Sequence, residues 1–141
     1  IPKLITCIDN KKKFPLEGNG QSKRNYIFSY DFCNGIQKVM SRGKKNHIYH
    51  FSGSEYYKTK DVIKILCKLK LYNYKKLIKK TKKRVGQDLN YQLDCKKTKK
   101  ELNWRPLYSF KKALKLVIDY QKAASKQIQK ESSNYIDGQL K

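Results

Sequence analysis

RVGQDLNYQLDCKKTKKELNWRPLYSF, residues 84–110, gathers most of the position-specific residues of the chain into 27 positions. Arg84, Gly86 and Asp88 read as an arginine-glycine-acid loop. Tyr91-Gln92-Leu93 is a short β-type run, and Asp94 is placed to cap a helix that runs to Leu102. Trp104-Arg105-Pro106 closes that helix, because the residue before a proline is pushed out of the α region. Ser109 caps a further helix in which Phe110, Leu114, Val117 and Ile118 recur at helical spacing. Such density in a chain otherwise filled with lysine points to a defined small-molecule site.

Against it stands the bulk signal. The chain has 141 residues, 34 basic against 11 acidic, for a formal charge of +23. Any polyanion is attracted by such a charge. Only four of the basic residues are arginine (Arg24, Arg42, Arg84 and Arg105), however, and bidentate recognition of phosphate or guanine favours the planar guanidinium fork. The lysines are spread along the whole length, beside abundant Asn, Ile and Tyr, as a biased composition would leave them. Two readings therefore stand at this stage: solvated lysine faces with weak, salt-sensitive polyanion binding, or a basic nucleic-acid-binding protein.

At 38% hydrophobic residues the chain can bury a core, and it has the length of one domain or part of one. No run of 18 apolar residues occurs, so no membrane-spanning helix is expected. IPKLITCI at the start reads as the middle of an amphipathic helix, so the chain is expected to continue upstream. Cys7, Cys33, Cys67 and Cys95 lie far apart and are expected as small core hydrophobes, since zinc needs closely paired thiolates. His47 and His50 fall on a strand-like run, where they would face opposite ways and hold no metal.

Outward from the opening stretch, Leu4, Ile5 and Ile8 mark a helix ending before Asn10. Gly18-Asn19-Gly20 marks a turn, residues 26–28 a strand, and Asp31 the cap of a helix with Phe32, Ile36, Val39 and Met40 facing inward. Residues 48–51 read as a strand. A helix from Thr59 or Lys60 turns Val62, Ile65, Leu66 and Leu69 to one side. Residues 70–83 alternate lysine with Leu and Ile and fit no single element. Beyond about residue 122 the tail is polar and expected to fray. The fold class is mixed α/β, with a lobe over residues 1–120 and a tail over 121–141. No Gly-x-Gly-x-x-Gly follows a strand. The Tyr56 and Lys60 pair has a spacing that chance supplies in so lysine-rich a chain, and no catalytic residue is expected.

Five pieces carry a resemblance: IPKLI, FPLEGNGQSKRNYIFSYDFCNGI, HIYHFSG, RVGQDLNYQLDCKKTKKELNWRP and SFKKALKLVIDY. In this order and spacing the chain resembles the C-terminal substrate-binding lobe of the nucleotide-sugar dehydratases and epimerases, in the extended short-chain dehydrogenase/reductase family. The 4,6-dehydratases match best; an epimerase or decarboxylase of the family is the sister reading. The resemblance implies a small α/β lobe that grips a nucleoside diphosphate sugar. It implies a Rossmann half, absent from this chain, carrying NAD and the catalytic Tyr-x-x-x-Lys, in a cytoplasmic homodimer.

The resemblance also implies that Arg24 and Arg84 hold the diphosphate, as two forks approaching from different loops can do directionally. Pro15 and Leu16 would line the base. Gln87 stands where the family often has histidine, and His50 where it has asparagine. Glu17 replaces an aromatic, and Val85 the proline of an Arg-Pro-Gly loop. Trp104 and Arg105 would be framework, with structural roles favoured for Asp88 and Tyr91. For the whole protein the implied reaction is oxidation at C4, loss of water across C5–C6 and hydride return at C6. This lobe would contribute binding energy alone.

Overall fold

The computed structural model describes residues 1–83, 85, 86 and 88–139, with side chains as far as residue 127. The first helix, α1 (Pro2–Asp9), opens on proline, whose missing N–H costs nothing at that position, and buries Leu4, Ile5 and Ile8. Strand β1 (Phe14–Glu17) follows, then the turn at Gly18 and Gly20, then β2 (Lys23–Asn25) and α2 (Ser29–Arg42). Next come β3 (Tyr56–Lys58), α3 (Thr59–Leu69), a single turn α4 (Tyr74–Leu77) and β4 (Ile78–Thr81). The chain ends with β5 (Asn90–Tyr91), α5 (Lys96–Leu102) and α6 (Phe110–Gln139).

Among the described residues the strands form two small sheets. β1 and β4 pair in parallel, Phe14 opposite Ile78 and Glu17 opposite Thr81. β2 lies between β3, antiparallel to it, and β5, parallel to it. The main core lies under these strands, where α1, α3 and the start of α6 meet: Ile5, Ile63, Leu66, Leu77 and Leu114 are all buried. Trp104 and Leu102 are buried in a second group beneath α2 and α5, with the Phe51 ring edge-on to Trp104 at 4.9 Å.

Several elements depart from the sequence pattern. Residues 26–28 are not a strand; pairing runs over Lys23–Asn25 instead, and Tyr26 turns its ring onto Phe110 at 5.2 Å. α2 begins at Ser29, and Asp31 serves a different purpose from capping. Its carboxylate accepts the amide protons of Leu107 at 2.9 Å and Tyr108 at 3.2 Å, while its carbonyl accepts the Trp104 indole N–H at 3.0 Å.

The apolar face expected to point inward from α2 points out, with Phe32 at 44%, Ile36 at 41% and Met40 at 83% exposure. Asp31 and Gly35 are the buried residues of that helix. Residues 48–51 run without a ladder partner among the described residues, because no second strand lies beside them. On α3 the buried set is Val62, Ile63, Leu66 and Cys67, so Ile65 and Leu69 are only half-buried. Cys33 is exposed and Cys7 half-buried, whereas Cys67 and Cys95 belong to the interior as expected.

Residues 70–83 resolve into α4 and β4, with the Asn73 side chain accepting the Lys75 amide proton at 2.8 Å to start the turn. Asp94 does act at the start of α5, accepting the Lys96 amide proton at 2.8 Å. Helix α6 continues to Gln139; Lys, Gln, Ala and Glu beyond residue 120 are all good helix formers. No helix among the described residues is long and apolar enough to cross a membrane.

Candidate functional site

β1 delivers the chain into a turn that only glycine suits. Gly18 and Gly20 have φ of +53° and +64°. A Cβ on Gly20 would come within 2.9 Å of Leu16 Cδ1 and 3.1 Å of the Lys60 backbone nitrogen. The turn is pinned on both sides: the Gly18 N–H donates to Thr81 O at 2.9 Å, and the Lys60 N–H to Gly20 O at 3.0 Å. The hydroxyls of Ser22 and Thr59 meet at 3.0 Å just beyond. A cavity of about 310 Å³ opens beside this turn, walled by Glu17, Gly18, Asn19 and Ser22 on one side and Lys83 and Asp88 on the other.

Arg24 braces the far wall. Its guanidinium donates to Lys23 O at 2.7 Å and to Asp88 O at 2.8 Å, and lies 5.9 Å from the centre of the Tyr91 ring. The first bond stays within β2, and the second ties β2 to the loop before β5. Burial pushes the Tyr26 phenol up, and the nearby charge of Arg24 opposes that shift.

The residues singled out from the sequence divide as follows. Leu16 is buried under the turn, and Pro15 is exposed on β1. Arg24 touches Asp88 in the cavity wall. His50 is exposed, its backbone N–H bonded to Thr98 Oγ1 at 3.1 Å, and it does not line this cavity. Arg84 and Gln87 lie outside the described residues. Lys83 and the Ser22–Thr59 pair carried no signal in the sequence, since one lysine among so many has no positional meaning.

A second cavity of about 470 Å³ lies between residues 52–54 and 92–99, with Asn25 at its edge. It gathers none of the residues expected to bind, and the Asn25 amide N–H groups are spent on Gly53 O and Glu55 O at 3.2 and 3.1 Å. The cavity beside the Gly18–Gly20 turn is the candidate site because it adjoins two of the residues expected to bind: Arg24 bonds its lining residue Asp88, and Leu16 packs under the turn. Among the described residues no group of His, Cys, Asp and Glu could hold a metal. Among the described residues the parallel pairs are short, and no glycine-rich turn leads from a strand into a helix N-terminus, as the usual dinucleotide site requires.

The family model described as GDP-mannose 4,6 dehydratase matches residues 1–117. The chain is 27% identical over 130 residues to dTDP-glucose 4,6-dehydratase of Escherichia coli, covering 85% of this chain and 36% of that protein. It thus spans about a third of the length of such relatives. Its structure is similar to that of DesIV, a dTDP-glucose 4,6-dehydratase of Streptomyces venezuelae solved with NAD and TYD bound. The TM-score is 0.83 at 29% identity, over 87% of this chain and 38% of the other. UDP-glucose 4-epimerase of Thermotoga maritima, at 21% identity, shares the fold with a TM-score of 0.79 over 86% of this chain and 38% of its own. A mixed α/β lobe that fills part of these larger proteins, with a family match over most of its length, belongs to the GDP-mannose 4,6 dehydratase family of NAD-dependent epimerases and dehydratases.

Proposed function

We propose that this chain is the nucleotide-sugar-binding lobe of an enzyme similar to dTDP-glucose 4,6-dehydratase, and that the cavity beside the Gly18–Gly20 turn takes the nucleoside diphosphate. The observation that carries the reading is one cavity bounded by the β1 turn and the loop around Asp88, with the Arg24 guanidinium bonded to the Asp88 carbonyl of that wall. Arg24 and Lys83 supply cations for a diphosphate, and Glu17, Asn19 and Ser22 supply acceptors and donors for sugar and base. The similarity to DesIV, solved with TYD, supports that ligand class. Arg84 is proposed as the second fork and Gln87 as a neighbouring hydrogen-bonding group; Pro15 and Leu16 shape the floor by backbone and packing.

This lobe orients and holds. Fixing the nucleotide part of a substrate supplies binding energy that another part of the protein can use on the hexose. NAD, with which DesIV was solved, and the redox chemistry it supplies when bound belong to the rest of the whole protein in this reading.

Calorimetric titration with dTDP, UDP and GDP at about 0.15 M salt tests the reading. One saturable site is expected, and Arg24→Ala and Arg84→Ala should each weaken it about tenfold or more, as loss of a charge-assisted hydrogen bond does. Unchanged affinity in both variants, with retained helicity by circular dichroism, overturns the diphosphate site. Binding that vanishes with salt and is equal for duplex DNA would favour diffuse charge instead.

A further inference from the structure

On another side of the molecule, sharing no residue with the nucleotide cavity, α3 and α6 leave a groove between them. Ile65 and Leu69 form its floor, and Lys68, Lys111, Lys112 and Lys115 its rim, around a volume of about 810 Å³. The three α3 positions follow helical spacing, as do the α6 positions, so two single helix faces build it. Ile65 and Leu69 are half-buried while the four lysines are exposed, so the apolar strip is recessed below a cationic rim. None of the four lysines is ion-paired with a carboxylate among the described residues; Lys112 lies 5.0 Å from the Tyr108 ring. Asp61 and Asp119, the nearest acidic positions along the two helices, fall one turn outside.

We propose that this groove docks an acidic amphipathic helix of a partner protein, with its apolar ridge on Ile65 and Leu69 and its carboxylates between the lysines. A groove between two packed helices takes a third helix by the same ridge-and-groove fit that packs the first two. Charge decides the sign of the partner. A second copy of this chain would bring 34 basic residues against 11 acidic ones to a cationic surface, and is disfavoured. Nucleic acid has no use for an apolar floor, and the rim contains no arginine. A flat bilayer meets the ammonium rim before it can reach the recessed Ile65.

The test uses the full chain and a fluorescein-labelled helical peptide with leucines at i, i+3, i+4 and i+7 flanked by glutamates, read by anisotropy at about 0.15 M salt. A scrambled peptide of the same composition is the control. Saturable binding of the amphipathic peptide is expected, at least tenfold tighter than the scrambled one. The charge reversal Lys111→Glu, Lys112→Glu, Lys115→Glu should weaken it at least tenfold, and Ile65→Asn several-fold. Glutamate in the first turns of α6 complements the helix dipole, so the reversed protein should fold, which circular dichroism checks. Equal binding of both peptides, no binding, or indifference to the groove substitutions overturns the proposal. So does groove-dependent sedimentation with phosphatidylserine vesicles in the absence of peptide binding.

Discussion

The Asp31 carboxylate, 1% exposed, gathers the amide protons of Leu107 and Tyr108, and so fixes the segment that carries Trp104 under α2. Asp31→Ala would strip both amides of their acceptor in a buried place. A loss of about 3 kcal/mol of unfolding free energy is expected, and about half that for Asp31→Asn, measured by urea titration. Gly20 is a second fixed point. Its positive φ and the 2.9 Å approach of a Cβ to Leu16 predict that Gly20→Ala costs about 1–2 kcal/mol in the same measurement. Tyr57 gives a titratable marker. Its phenol donates to Glu55 Oε1 at 2.5 Å, and this bond, then burial and the carboxylate charge, push its pKa up to about 12. A raised folded pKa favours the protonated form, so the contribution is complete below pH 10 and is lost as pH rises from 10 through about 12. In tyrosinate absorbance Tyr57 should be the latest group to titrate, and Glu55→Gln should return it toward the ordinary tyrosine range.

Residues 48–51 and the outward face of α2 belong together as elements: the Phe32 and Phe51 rings touch edge-on at 5.9 Å, and both elements carry apolar residues into solvent. Within that segment the His50 amide donates to the Thr98 hydroxyl. Hydrogen exchange should therefore find residues 48, 49 and 51 fast, His50 slower, and residues 63–67 of α3 slowest. Protection of 48–51 equal to that of α3 would show a ladder where none is seen. The same elements mark what the sequence could say. Periodicity identified α1, α2, α3 and the start of α6, because an amphipathic face survives any change of neighbour, and the Asp94 cap identified α5. It could not tell which face of α2 or α3 would find a partner, since burial depends on what packs there. β4 was hidden because its pattern, Ile-Lys-Lys-Thr, is four residues long and half lysine. At the site, the glycine turn was legible from residue type; Lys83 was not, for lack of contrast with its surroundings.

At the scale of the whole molecule, a lobe matching about a third of its relatives carries the proposed nucleotide cavity on one side and a lysine-rimmed groove on another. The net charge of +23 makes location the decisive question, since diffuse attraction could imitate weak binding anywhere. Amide chemical-shift mapping of the labelled protein during addition of dTDP at about 0.15 M salt answers it. The account predicts saturable shifts concentrated at residues 16–22, 24 and 81–91, abolished in Arg24→Ala. Shifts scattered over the lysines of α3, α5 and α6, without saturation, would contradict it.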